Sequence, residues 1–379
     1  MLDTIKLTLD KNMFHIADMK LFQKEKMNAA RGFFTLVQNP TRTELENGIY
    51  KPRLTLSKRF NISGRFEPTL SIELSLPKLL FGNNFDELVE TDFPKIVEKL
   101  RLRLKSMGVL VFTQTLVNSP VSSIHYSKNI PLTDGTTPHY LIGKIKQANI
   151  SLALDVNQTD YRNDGHSYKW HANSYEVAFY DKIKDIEMAK KSEKRAIEKD
   201  NSIQLNLFET FKERKRLEVM RMEVRLNKRQ KIKQLFKTLG IQSVFTFKEL
   251  FNSDIAKQVL IHYLDEIESK RLLLFDYKPT SSKSLLADLI INNPNIGIRK
   301  TIQLYGLKQI FDSTTPRELR NMFSKYGQRN WYRLIAEAKA IKLPTSQSPL
   351  KVVLEHLNKF EPLKLVDFQD KMLNNVKYN

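Results

Sequence analysis

The chain has 379 residues, 41% of them hydrophobic, which is material for two or three domains with real cores. A surplus of 62 Lys and Arg over 42 Asp and Glu leaves a net charge of +20. That favours a polyanionic partner, because each phosphate neutralised by a cation releases condensed counterions. With no cysteine, disulfides, zinc–thiolate sites and thiol nucleophiles are excluded. No run approaches the roughly 18–20 uncharged apolar residues of a membrane span, and the alternating start MLDTIKLTLD reads as a strand and not a signal peptide. No membrane partner and a cytoplasmic location are therefore expected.

Up to about residue 180 the pattern alternates with period two, which predicts strands. They fall at Thr4–Leu9, Phe33–Val37, Pro52–Ser57, Leu70–Leu76, Val121–Ser127, Ser151–Val156 and Ser174–Lys182. Two helices interrupt them, Glu87–Met107 and Pro138–Gln147, the second opening on a proline that suits a first helical turn. The expected class is α+β, a sheet with helices packed on one side. Residues 183–217 are crowded with Lys and Glu and read as an exposed helical excursion. One more strand follows, Val219–Leu226, and from about residue 232 the chain reads as helical. The expected division is a first domain over 1–231 and a helical DNA-binding or accessory domain over 232–379.

Alternate residues of a strand share a face. In HANSYEVAFYDK, Tyr175, Val177 and Phe179 then point to the core, and Ser174, Glu176, Tyr180 and Lys182 form a polar row. A phenol with a pKa near ~10 needs a cation or base beside it to become a nucleophile, and Lys182 is placed to supply the charge. Taken alone, the row reads as readily as a surface tyrosine beside an ion pair. In RMEVRL the polar row is Arg221, Glu223 and Arg225: arginines suited to phosphates around a carboxylate suited to Mg²⁺ or Mn²⁺. SIELSLP offers Glu73 and VSSIHYSKN offers His125 on their polar rows. Three strands each presenting one ligand, Glu73, His125 and Glu223, would hold one divalent ion over a sheet.

Phosphate-cradling, dinucleotide and serine-hydrolase motifs are absent, as is the paired-histidine motif of many rolling-circle nucleases. Near the C-terminus, Arg317, Arg320, Lys325, Arg329 and Arg333 alternate with Phe323, Tyr326, Trp331 and Tyr332. Two short helices, about 316–324 and 328–341, meet at Tyr326-Gly327 in the manner of a helix-turn-helix. These cations are candidate DNA contacts, although the same pattern describes a bundle with an aromatic core and solvated charges.

The order of MLDTIKLTLD, SIELSLPKLLFGNN, VSSIHYSKN, SYEVAFYDKIKDIE and RMEVRLN resembles the replication endonucleases of filamentous phages and the trans-acting Rep initiators of rolling-circle plasmids. The resemblance implies an antiparallel, RRM/Rep-like sheet domain that nicks one strand of origin DNA. It implies attack by Tyr180, a 5′-phosphotyrosine link, a free 3′-OH, a divalent metal, and single-stranded and duplex origin DNA with host helicase and polymerase as partners. Glu223 and Glu73 fall on the family's acidic positions. His125 stands where phage relatives tend to carry Asp, a departure that leaves the ligand set open. The alternatives are a conjugative relaxase or transposase-like nuclease of the same chemistry, and a non-catalytic origin-binding protein.

Overall fold

The computed structural model describes residues 1–364, except 29–31, 42, 45–46, 61–65, 133–134, 148–154, 163–164, 192–217, 271, 315, 345–347 and 349. The strands are β1 (Leu2–Asp10), β2 (His15–Ile16), β3 (Gln23–Asn28), β4 (Phe33–Gln38), β5 (Arg53–Phe60), β6 (Phe66–Ser75), β7 (Val109–Leu110), β8 (Val121–Pro131), β9 (Asp155–Arg162), β10 (Ser167–His171), β11 (Tyr175–Asp181) and β12 (Val219–Leu226). Ten of them form one sheet in the order β3-β4-β5-β6-β1-β8-β12-β11-β10-β9, and β2 pairs with β7 apart from it. Every pairing is antiparallel. The chain is α+β with a large antiparallel sheet.

Alternation along the central strands decides which face is buried. Leu2, Ile5, Leu7 and Leu9 of β1, Ile124 and Tyr126 of β8, Met220, Met222 and Val224 of β12, and Val177 and Phe179 of β11 join one core. The helices Phe93–Ser106, Pro138–Gln147, Arg229–Leu239, Ser253–Lys270 and Lys351–Lys359 pack against that face. The opposite face carries Ser, Thr, His, Glu, Lys and Arg, and most of it is half-buried or exposed. One end of this polar face has its own small cover. Val219, in the same row as Arg221 and Glu223, packs with Phe85 and with Ile186 of the helix Lys182–Lys191.

The expected strands are largely present, but Gln23–Asn28, Ser167–His171 and the short pair His15–Ile16 and Val109–Leu110 lie outside the expected set, and β9 runs to Arg162 where the expected strand stops at Val156. β3 is an edge strand, and its charged sequence QKEKMN suits a solvent-facing edge that must resist further pairing. The segment expected to end a strand at Leu76 turns there into a short helix, Leu76–Phe81, with Pro77 in its first turn. Of the excursion expected over 183–217, residues 192–217 lie outside the described residues, as does the start of the strand expected at Ser151.

The cores divide elsewhere than at residue 231. The helices Arg229–Leu239 and Ser253–Lys270 belong to the sheet's core, to which Val353 and Leu357 also return. A second core, built from Leu272, Leu285, Leu304, Phe311, Trp331, Ile335 and neighbours, lies within 272–343. Leu304 is fully buried in it. Leu304→Ala is expected to cost about 2–5 kcal/mol and to speed amide hydrogen exchange across 272–343, leaving the central strands protected. No helix among the described residues is long and apolar enough to cross a membrane.

Candidate functional site

Three adjacent strands bring the site together. β12 lies between β8 and β11, so Glu223 stands between Ser127 and Ala178, Arg221 between Asn129 and Tyr180, and Arg225 between His125 and Glu176. The Tyr180 hydroxyl donates to Oε2 of Glu223 at 3.1 Å. Arg225 grips the same carboxylate with Nε at 3.0 Å and Nη2 at 3.1 Å, and turns Nη1 to Glu176 at 3.2 Å. His125 Nδ1 is 3.6 Å from Glu223 Oε1. Glu176 is joined on its far side by His171 at 3.6 Å and Lys169 at 3.7 Å. One carboxylate thus collects a phenol, a guanidinium and an imidazole.

Burial pushes the Glu223 carboxyl up, but Arg225 and His125 outweigh it and hold the group well below the ordinary range. Tyr180 moves the other way. Burial and the adjacent Glu223 charge raise the phenol well above its ordinary 10, opposed by Arg221. The phenol therefore needs a proton acceptor to attack, and the group bonded to its hydroxyl is Glu223, not Lys182. The strand ends at Asp181, so Lys182 enters a helix instead of continuing the polar row. Its ammonium is fully buried, donates to Oδ1 of Asn84 at 2.8 Å, and lies 5.9 Å from the centre of the Tyr180 ring.

Arg221 also differs from expectation. It is buried, not offered to a phosphate: Nη1 donates to the Asn84 carbonyl at 2.6 Å, Nη2 to the Ser127 hydroxyl at 2.8 Å, and Asp3 is 3.3 Å away. Arg225, about 29% exposed, is the arginine of this strand within reach of solvent. Glu73 lies on the same face but on β6, three strands from β12, or about 14 Å at the usual spacing. Its partner is Lys6 at 3.4 Å. The expected ligand trio is not assembled; His125 and Glu223 come together and Glu73 stands apart. Among the described residues no cluster of three or more His, Asp or Glu has metal-binding geometry.

A divalent ion would accordingly find one imidazole and one carboxylate here and would draw its other oxygens from water or a phosphate. For an ion held there, Glu73→Gln should change affinity by no more than about twofold, whereas His125→Ala should weaken it by at least the roughly 10–100-fold that loss of an outer-shell partner costs. Calorimetric titration with Mn²⁺ checks both.

In the second core, the helix Pro316–Met322, a 3₁₀ turn Phe323–Tyr326 and the helix Gln328–Lys339 follow one another. The turn ends at Gly327, whose φ of 88° favours glycine. Trp331 is buried and Phe323 and Tyr332 pack beside it, while Lys325, Arg329 and Arg333 are exposed and Arg320 is half-buried. The Arg317 side chain lies outside the described residues.

Sequence reasoning placed Glu176 on the polar row of Tyr180 but missed Asn84, Asp3, and the His171 and Lys169 that join Glu176. Nothing in FGNNFDE marks Asn84, which reaches Arg221 and Lys182 only through the fold. Comparisons of the chain with protein-family profiles, curated proteins and solved structures found no match.

Proposed function

We infer that the chain is a metal-assisted DNA-nicking enzyme of the rolling-circle initiator kind, with Tyr180 as nucleophile and a Rep-like sheet as its platform. The observation that carries this reading is the Tyr180–Glu223 hydrogen bond on the polar sheet face, with Arg225 and His125 on the same carboxylate. A neutral phenol bonded to a carboxylate has a proton acceptor in place before substrate arrives. As the phenolic oxygen attacks phosphorus, its proton passes to Glu223, made more basic as Arg225 turns from it to the phosphate; the new O–P bond replaces the bond to the 3′-oxygen, which leaves and takes up a proton from water, and Glu223 returns its own to water. One phosphodiester is exchanged for a phosphotyrosine ester, so no nucleotide hydrolysis is required. Arg225, released in part from Glu223 and Glu176, would meet the charge developing on the non-bridging oxygens, where preorganised cations contribute most. A Mg²⁺ or Mn²⁺ ion held by His125 and Glu223 would supply polarisation of the phosphoryl oxygen.

Beside the covered end, half-buried Arg225 and His125 give the polar face an accessible edge that suits a single strand, whose phosphates can reach the sheet once unpaired. Lys325, Arg329 and Arg333 would grip duplex origin DNA through its backbone. The cytoplasm, with host helicase and polymerase acting on the nicked product, is the setting this reading requires. A relaxase or transposase-like enzyme would use the same residues and differ in its DNA target.

One observation favours a second reading. A half-buried tyrosine with a raised pKa, bonded to a salt-bridged carboxylate, is also what a purely structural network looks like. The chain would then bind origin DNA without cutting it. Labelled single-stranded and supercoiled DNA, incubated with the protein and Mg²⁺ or Mn²⁺, separates the two. A denaturation-resistant protein–DNA adduct is the expected result; tight binding with no adduct at either metal would overturn the nuclease.

A further inference from the structure

The helix Ile298–Ser313 buries one face, through Thr301, Leu304, Leu307 and Phe311, in the second core. Its other face carries Ile298, Ile302 and Ile310, exposed by 81%, 60% and 43%. Spacing of four places them in one row, with Gly306 as the fourth member. Isolated exposed isoleucines are ordinary on a protein surface, but three in a single helical row are not explained by packing among the described residues, where the helix already has its buried face. The glycine is unusual as well. Among the described residues nothing requires it, since an added Cβ would meet no atom within 4 Å, yet glycine in a helix interior is unfavourable.

We propose that this row is a self-association surface, on which a second copy of the chain packs its own Ile298–Ser313 helix antiparallel across a two-fold axis at Gly306. Rows with a spacing of four interlock when two helices cross, and the missing side chain lets the backbones approach at the crossing point. A two-fold axis there sets each residue opposite the one equally far beyond Gly306, so Ile302 meets Ile310 of the second copy and the reverse. The charges agree with the same axis. Exposed Arg299 lies seven residues before Gly306 and Asp312 six after, which brings Arg299 of one copy to the end that holds Asp312 of the other. The Asp312 side chain is 54% exposed although it also pairs with Lys308. Gln303 and Gln309 flank the row without charge, so the net charge of +20 places no repelling cation at its centre.

The row is small. Three isoleucines and the glycine would bury on the order of 400 Å² per partner, about half of a standard interface, so the expected association is weak and concentration-dependent. The preceding helix Ser282–Asn292, which packs against this one, also exposes Leu286, Ile290 and Ile291.

Sedimentation of the full-length chain without DNA, from about 1 to 100 µM, tests this directly. A concentration-dependent dimer is expected. Gly306→Gln should weaken it about tenfold or more without lowering the thermal midpoint, because the substitution improves the helix of the separate chain. Ile302→Gln and Arg299→Asp should weaken it in the same direction. A chain that stays monomeric to 100 µM overturns the proposal, whether DNA or another protein then covers the row. So does a dimer indifferent to all three substitutions, which would associate elsewhere. Neither outcome bears on DNA nicking, which is read by adduct formation.

Discussion

Tyr180→Phe is expected to abolish the covalent DNA adduct while leaving DNA affinity within about twofold, because phosphate contacts, not the phenol, dominate binding. The substitution removes one hydroxyl and the hydrogen bond to Glu223, a loss of about 1 kcal/mol. Oε2 of Glu223 keeps Arg225 Nη2 at 3.1 Å, so the carboxylate is not stranded. Gel analysis after denaturation reads the adduct, and a filter or anisotropy titration reads the affinity. Tyr168 and Tyr175 are buried among the apolar residues of the core. An adduct that persists in Tyr180→Phe would therefore not pass to a neighbour in the same strands; it would remove this site from the chemistry altogether.

Glu87→Gln should produce the largest loss of stability. Glu87 is buried at the end of β8, where its carboxylate binds the Lys128 ammonium and accepts from the amides of Asn129 at 2.7 Å and Leu363 at 2.9 Å. Lys128 is itself buried, so the substitution leaves a desolvated cation without its counter-charge, a loss of about 3–5 kcal/mol. Burial pushes the Glu87 carboxyl up, and Lys128 foremost outweighs it, so the folded value lies below the ordinary 4.5. A depressed carboxyl contributes its stability above the unfolded value and loses it as pH falls through the folded one. Wild type should therefore lose this contribution below about pH 4.5, and Glu87→Gln should show a shallower acid limb. Urea unfolding from pH 3 to 7 provides the comparison, and a variant as stable as wild type at pH 7 would refute the account.

The alternating rows of VSSIHYSKN, EVAFYD and RMEVRL were legible because a period of two commits each side chain to one face of a strand, whichever strand lies beside it. That was sufficient to place His125, Tyr180 and Glu223 on polar rows and to assign the class as α+β. The basic surplus and the missing cysteines were likewise properties of the chain alone. Which rows become neighbours was not. That depends on strand order, and β12 reaches its place between β8 and β11 from more than 30 residues beyond β11. Insertion there joined Glu223 to Tyr180 and His125, and left Glu73 three strands away. Local reading also carried the β11 row one residue too far, because the switch from strand to helix at Lys182 comes with the cover formed by Phe85, Ile186 and Val219. Tertiary surroundings also decide the electrostatics. Composition marks Arg221 as a cation for phosphate and Tyr180 as an ordinary phenol; burial against Asn84, Ser127 and Asp3 makes the first an internal ion, and desolvation beside Glu223 raises the pKa of the second. Desolvation is set by everything packed around a group, and no local pattern of residues contains it.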